Sequence, residues 1–280
     1  MTINDWMRAA RARLEGCENP DAATDARLLV CGVCHLEPGK VRFSGALPLT
    51  DEQIGELNTR LQRRVDGEPL QYIEGEAWFM GLRFSVDARV LIPRQDTETL
   101  CEEALNALKG IRNPRVLDLC TGSGALAVAI KHYCPAANVT GADISPDALN
   151  VARKNAIDHR AEVRFAEGDG FEPVKGERFD LIVCNPPYLT AQDMNELQVE
   201  VQREPELALF GGADGMTFYR RFSRETPKFL APGGRIMFEV GEGQAEDVLS
   251  LLKVNFPGCE NGIIKDLCGI DRVVWIRSAE

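Results

Sequence analysis

The 280-residue chain is expected to fold as an α/β protein: a doubly wound, seven-stranded, mostly parallel sheet preceded by a small N-terminal helical bundle. Three observations point there. Residues 112–280 alternate short β-branched runs with helical segments, the pattern of βαβ units covered on both faces. Residues 1–65 carry apolar side chains at helical spacing. A glycine-bearing loop joins the first strand of the alternating region to its first helix.

In chain order, Trp6, Ala10 and Leu14 recur every four positions and make one apolar stripe. Pro20-Asp21 begins a second helix with Leu28, Leu29 and Val30 as its core. Thr50 followed by Gln53 is a capping box ahead of Ile54, Leu57 and Leu61, and that helix ends near Gly67-Glu68-Pro69. Leu82 and Phe84 alternate with polar neighbours, Val90-Leu91-Ile92 runs into Pro93, and Asp96-Thr97-Glu98 opens another helix reaching Leu108. The seven strands are then Val116–Leu119, Ala137–Asp143, Val163–Ala166, Phe179–Cys184, Arg235–Val240, Gly262–Lys265 and Arg272–Ile276. Helices are expected over Ala125–Tyr133, Pro146–Ile157, Gly215–Phe229 and Gln244–Phe256. The last two strands sit close together and are expected as an antiparallel pair at one edge. Three domains follow: a helical one over 1–70, a hairpin-and-helix connector over 71–110, and the α/β domain over 111–280.

Composition narrows the function classes. The balance of 32 basic and 43 acidic residues gives a net charge of −11, and neither half has a basic excess. That argues against a protein that coats duplex DNA, whose affinity rests on phosphate neutralisation. No apolar run approaches the ~20 residues of a membrane span, and the N-terminus has no apolar signal core, so a cytoplasmic protein is expected. Its nine cysteines are then reduced thiols. Cys31-Gly-Val-Cys34-His35 has redox and haem-attachment spacing, but it lies in an apolar helical stretch and is read as core. No second such pair completes a zinc site, and no metal is expected.

The first chemical signal is Asp118-Leu-Cys120-Thr121-Gly122-Ser123-Gly124. Glycine lets the backbone turn sharply and lets a ligand approach it, while the next helix offers free N–H groups. About twenty residues on, Asp143 ends the next strand, where a carboxylate accepts ribose hydroxyls. A ribose-bearing cofactor is implied, S-adenosylmethionine or a nicotinamide. Asp169-Gly170-Phe171 offers a carboxylate and a ring to the edge of an adenine.

The second signal decides between them. The strand Phe179–Cys184 runs straight into Asn185-Pro186-Pro187-Tyr188, at the carboxyl end where ligands bind in open α/β sheets. Pro187 forces Pro186 to be extended and Pro186 fixes its own φ, so one carbonyl is held outward. Asn185 adds a side-chain carbonyl. Two acceptors beside the Tyr188 ring make a clamp for a planar NH2 group. Such a nitrogen is a poor nucleophile, and two acceptors favour the positive charge that develops on it. A nicotinamide dehydrogenase leaves this clamp idle.

These residues resemble class I, Rossmann-like methyltransferases acting on amino groups, and within them the peptide chain release factor glutamine methyltransferases. Gly67–Gly75 (GEPLQYIEG), Leu91–Glu98 (LIPRQDTE), Glu204–Gly215 (EPELALFGGADG) and Phe238–Gly241 (FEVG) extend the likeness over nearly the whole chain. It implies methyl transfer from S-adenosylmethionine, leaving S-adenosylhomocysteine, to the side-chain N5 of the glutamine in a release factor's Gly-Gly-Gln tripeptide, by a monomer whose N-terminal domain docks the substrate. It places Cys120–Gly124 around the cofactor, Asp143 on its ribose, Asp169 and Gly170 near the adenine, and Asn185–Tyr188 on the glutamine amide, Asn185 touching both. Alternatives are another protein glutamine, as in a ribosomal protein, or an adenine or cytosine NH2 of nucleic acid. Two departures stand out: Cys120 where the loop often has glycine, and Gly170 where a large side chain is common, with Phe171 expected to supply the lost adenine contact. Arg94 and Thr97 are expected near the active-site mouth, Thr97 equally well as a helix cap.

Overall fold

The computed structural model describes residues 1–17 and 19–279. The chain forms two compact units, one of residues 1–75 with 198–203, the other of residues 76–197 with 204–280.

The first unit is helical. Its helices are α1 (Ile3–Glu15), α2 (Ala22–Cys34), α3 (Val41–Ser44), α4 (Asp51–Val65) and α5 (Leu70–Glu74). Thr2 with Asp5 and Thr50 with Gln53 form reciprocal capping boxes at the starts of α1 and α4, because each hydroxyl accepts an orphan N–H of the first turn. The stripe Trp6, Ala10, Leu14 packs with Leu29, Val30, Leu57 and Leu61 in one core. The indole N–H of Trp6 donates to Asn58 at 3.0 Å. Residues 198–203 return to this unit: Arg64, 8% exposed, donates to Asp25 at 2.7 Å and to Glu200 at 2.6 Å. Cys31 and Cys34 are free, half-buried thiols against the bundle core, and burial pushes both pKa values up.

The second unit opens with an antiparallel hairpin, β1 (Glu76–Phe79) and β2 (Leu82–Ser85), and helix α6 (Gln95–Ala107). These elements, expected as a connector, share a core with the sheet that follows: Phe79, Phe84, Leu100 and Ala104 pack with Val116 and Leu126. The sheet strands are β3 (Arg115–Leu119), β4 (Asn138–Asp143), β5 (Val163–Glu167), β6 (Phe179–Cys184), β7 (Leu230–Glu239), β8 (Glu260–Lys265) and β9 (Asp271–Arg277). Their order is β5-β4-β3-β6-β7-β9-β8. The first five are parallel, and β9 runs antiparallel to both β7 and β8. The doubly wound, seven-stranded, mostly parallel sheet is therefore the fold, with its antiparallel pair at one edge. Helices α7 (Ala125–Tyr133), α8 (Pro146–Asp158), α9 (Ala191–Asn195), α10 (Thr217–Glu225) and α11 (Ala245–Asn255) complete the unit.

Both faces of the sheet are covered, so successive residues of a strand are buried on opposite sides. Leu181 and Val183 of β6 join the core with α6 and α7, while Ile182 and Cys184 join the core with α10 and α11. Among the described residues, no helix is long and apolar enough to cross a membrane.

Candidate active site

The chain leaves β3 for β4 on one side, and β6 pairs with β3 on the other. Neighbouring strands that feed connections in opposite directions open a crevice at their carboxyl ends. A cleft of about 320 Å³ lies there.

One wall is the β3–α7 loop. Asp118, fully buried, accepts from the Thr121 hydroxyl at 2.5 Å and from the Ala127 N–H at 3.1 Å, bracing the loop from both ends. Burial pushes its carboxyl up to about 7 against those two bonds. Gly124 has φ +79°, and a Cβ there would stand 3.0 Å from the Ala152 Cβ, so glycine lets α7 and α8 approach. Cys120 takes φ +63°, in the left-handed region, a conformation glycine adopts more easily. Cys120 and Gly122 line the cleft. Thr121 and Ser123 are buried behind it, and the Ser123 carbonyl accepts from Asn155 at 2.9 Å.

Asp143 also lines the cleft. One of its oxygens accepts the Gly122 N–H at 2.8 Å and the other the Ser145 N–H at 2.9 Å. Each oxygen keeps a second lone pair. Burial raises its pKa, opposed by these backbone donors.

Beyond β6, Asn185 and Pro187 face the cleft and Pro186 is buried. The Asn185 Nδ2 donates to the Thr97 hydroxyl at 3.2 Å. Thr97, 6% exposed on the first turn of α6, is therefore engaged with the tetrad; the N-cap position of that helix is Arg94. Tyr188 is half-buried against the sheet core. Its carbonyl accepts from Gln244 at 3.0 Å, and burial raises its phenol.

Several residues at the site carried no signal when read singly. A Cβ on Gly211 would lie 2.7 Å from the Pro187 oxygen, and one on Gly215 would lie 2.3 Å from the Tyr188 oxygen. The glycines of the 204–215 string thus let that loop press on the tetrad's backbone. Glu204, at the start of the same string, accepts the Ile92 N–H at 2.9 Å and pairs with Arg94, which ties the loop 91–94, just before α6, beside the cleft. Both Ile92 and Glu204 are buried. Glu204→Ala is expected to lower stability by about 2 kcal/mol in urea unfolding, because the Ile92 N–H is left buried without an acceptor. Unchanged unfolding would show that Glu204 does not hold this loop.

Two family models match the chain, "PrmC N-terminal domain" over residues 5–75 and "Methyltransferase small domain" over residues 97–203. The release factor glutamine methyltransferase of Geobacter sulfurreducens is 42% identical over 97% of this chain and 94% of its own. That of Deinococcus radiodurans is 37% identical over 100% of this chain and 99% of its own. The chain belongs to the release factor glutamine methyltransferase family. A methyltransferase crystal structure from Pyrococcus furiosus, 18% identical, covers 80% of this chain and 100% of its own with a TM-score of 0.53, a likeness of fold.

Within this family member the third wall departs from expectation. Phe171 is 1% exposed and stacks on Phe229 with centroids 4.4 Å apart. It belongs to the core and cannot offer its ring to an adenine, because the turn at Gly170 directs it inward. The wall beside Asp169 and Gly170 is instead Arg221 of α10. A Cβ on Gly170 would stand 2.9 Å from the Arg221 Nη2. The guanidinium occupies the space a side chain at 170 would take. It donates to Asp169 at 2.6 Å and to Glu225 at 3.0 Å.

Proposed function

We propose that this protein transfers a methyl group from S-adenosylmethionine to the N5 of the glutamine in the Gly-Gly-Gln tripeptide of a peptide chain release factor. The observation that carries the reading is the Asn185 amide, held by Thr97 at the lip of a cleft that the Gly loop and Asp143 also line.

The residues present fit the cofactor. Gly122 has φ +55° with open space around the position of a Cβ, so the backbone of the loop is approachable. Asp143, half-buried at the end of β4, keeps lone pairs for ribose hydroxyls. Asp169 and Arg221 stand where the adenine would lie, Arg221 presenting a planar cation suited to an aromatic face. When bound, S-adenosylmethionine supplies an electrophilic methyl carbon on sulfur. Asn185 Oδ1 and the Pro186 carbonyl accept the two N–H bonds of the substrate amide, and Tyr188 backs its planar face. Fixed acceptors favour the charge that builds on the nitrogen, and rigid placement in line with the methyl supplies proximity. The nitrogen, once alkylated, is strongly acidic and loses its proton to solvent without a general base. All these residues belong to one chain, so the reading needs no second copy.

Incubation with radiolabelled S-adenosylmethionine and a release factor, its Gly-Gly-Ala variant, a ribosomal protein fraction or DNA tests the reading. Label is expected in the intact release factor and not in the variant. Label confined to DNA or to ribosomal protein would overturn it.

A separate prediction concerns Arg221. Arg221→Ala is expected to weaken S-adenosylhomocysteine binding by about 5- to 10-fold in calorimetry, the loss of a cation over an aromatic ring. Unchanged affinity would remove the guanidinium from the adenine site.

A further inference from the structure

An asparagine ends in an oxygen and an NH2 of nearly the same shape, and only the oxygen can accept an N–H. If the Asn185 amide stood the other way round, its NH2 would face the substrate's NH2, donor against donor. Something must set its direction. The Thr97 hydroxyl bonded to Nδ2 can both donate and accept, so it does not decide alone.

Glu239 supplies the missing direction. It ends β7, one residue past Phe238, which pairs with Cys184 just before Asn185. Its side chain is 1% exposed, and Oε2 has no partner. Thr97 and Asn185 are the polar side chains facing this carboxylate, and Asn185 Nδ2 is bonded to Thr97 at 3.2 Å. A carboxylate only accepts. A hydroxyl facing it directs its proton there, which would leave the Thr97 oxygen to receive Nδ2, as it does at 3.2 Å, and turn Oδ1 of Asn185 outward. A buried carboxylate oxygen without a partner costs stability, which argues for a role other than holding the fold.

We propose that Glu239 and Thr97 are positioning residues that fix the orientation of the Asn185 amide, so that its oxygen meets the nitrogen to be methylated. The proposal rests on the glutamine-methyltransferase reading above. The ionised Glu239 also places negative charge beside the Asn185 amide, which makes Oδ1 a better acceptor as positive charge grows on the substrate.

A pH dependence follows. The groups facing Glu239 are Arg272 of β9, Asp96 of α6, Tyr188 and Cys184 at the end of β6, and Tyr219 of α10, whose hydroxyl donates to the Glu239 backbone carbonyl at 2.8 Å. Arg272 is itself divided between Asp96 and Asp266, each at 3.1 Å. Burial pushes the Glu239 carboxyl up to about 7 against the Thr97, Arg272 and Asn185 contributions. Below that pH the carboxyl is protonated and can itself donate, so the direction of the relay is lost. Methyl transfer is expected to fall as pH drops through about 7.

The test uses Thr97→Val, Thr97→Ser and Glu239→Gln in the full chain. It reads kcat and KM on a release factor, S-adenosylhomocysteine affinity by calorimetry, and hydrogen exchange of the Asn185 side-chain NH2 by 15N NMR, its signal identified by its loss in Asn185→Ala. Thr97→Val is expected to lower kcat by about 10²-fold, as misplacement of a reacting group does, with cofactor affinity unchanged. The Asn185 NH2 should exchange at least about tenfold faster. Thr97→Ser should restore both, and Glu239→Gln should remove the acidic limb of kcat measured at saturating cofactor. Wild-type kcat and exchange in Thr97→Val, or Thr97→Ser as impaired as Thr97→Val, would overturn the proposal. Should Glu239→Gln fail to fold, the Thr97 pair still decides. Should the wild-type enzyme leave release factors unlabelled, the exchange measurement still reads the relay, so the two failures are distinguishable.

Discussion

Asn185→Ala is expected to lower kcat for methyl transfer by about 10²–10³-fold, the cost of losing one preorganised group that meets charge developing in a transition state. On the proposed mechanism the substitution removes Oδ1, one of two acceptors for the substrate amide, and leaves the other on the rigid Pro186-Pro187 peptide. It also removes the Nδ2 that Thr97 holds at 3.2 Å. The cleft's other walls, the β3–α7 loop and Asp143, are braced through Asp118, Thr121 and Gly122, whereas the Asn185 side chain is bonded to Thr97. Cofactor affinity should therefore remain within a few-fold of wild type. Single-turnover transfer to a release factor and calorimetry with S-adenosylhomocysteine separate the two quantities. Wild-type turnover would end the clamp mechanism. An equal loss in both measurements would make Asn185 a cofactor residue alone.

Asp143→Ala is expected to act on the other half of the site. A charged acceptor for a ribose hydroxyl contributes about 1–3 kcal/mol, equivalent to about 5- to 150-fold in affinity. The upper part of that range is expected here, because the same carboxylate also accepts the Gly122 and Ser145 N–H groups. Losing it frees the Gly122 loop and, on the proposed reading, removes the ribose contact as well. Burial raises the Asp143 pKa, so its charge is lost at a higher pH than an exposed aspartate would lose it, and cofactor affinity should weaken on acidification in the wild type and not in Asp143→Ala. Calorimetry across a pH series reads both effects. Wild-type affinity in the variant would detach Asp143 from the cofactor.

The parts of the site that could be read from the chain are those where one residue type forces one local geometry. Two consecutive prolines after a β-strand admit few backbone conformations, and a Gly-x-Gly turn into a helix leaves N–H groups facing outward. Asp143 was legible because its place at a strand end follows from the βαβ pattern. Thr97 was legible only as one of two things: it lies in a helix's first turn, where a hydroxyl serves equally as cap or as partner to a distant group. Glu239 and Glu204 stood out only as members of family-like strings and Arg221 not at all; none showed its partner, since a single acidic or basic residue in a sequence is most often a solvated surface group. Their roles come from partners far along the chain: Glu239 from Thr97 and Asn185, Glu204 from Ile92 and Arg94, Arg221 from Asp169. Phe171 was misassigned for the same reason. An aromatic ring after Asp169-Gly170 suits a ligand or a core, and only packing on Phe229 shows which.

The sequence by itself determined the order of helices and strands, the doubly wound sheet with its antiparallel edge, the glycine loop and the Asn-Pro-Pro-Tyr exit. Each follows from hydrophobic period, turn chemistry and fixed φ angles, interactions that act within a few residues. The tertiary structure decided which side chain Asn185 is bonded to, which side chain walls the cleft beside Asp169 and Gly170, and what ties down the loop 91–94. Those are settled by hydrogen bonds and packing between segments roughly 50 to 140 residues apart. Such contacts leave no periodic trace, because a buried polar group is defined by the partner that the fold brings to it.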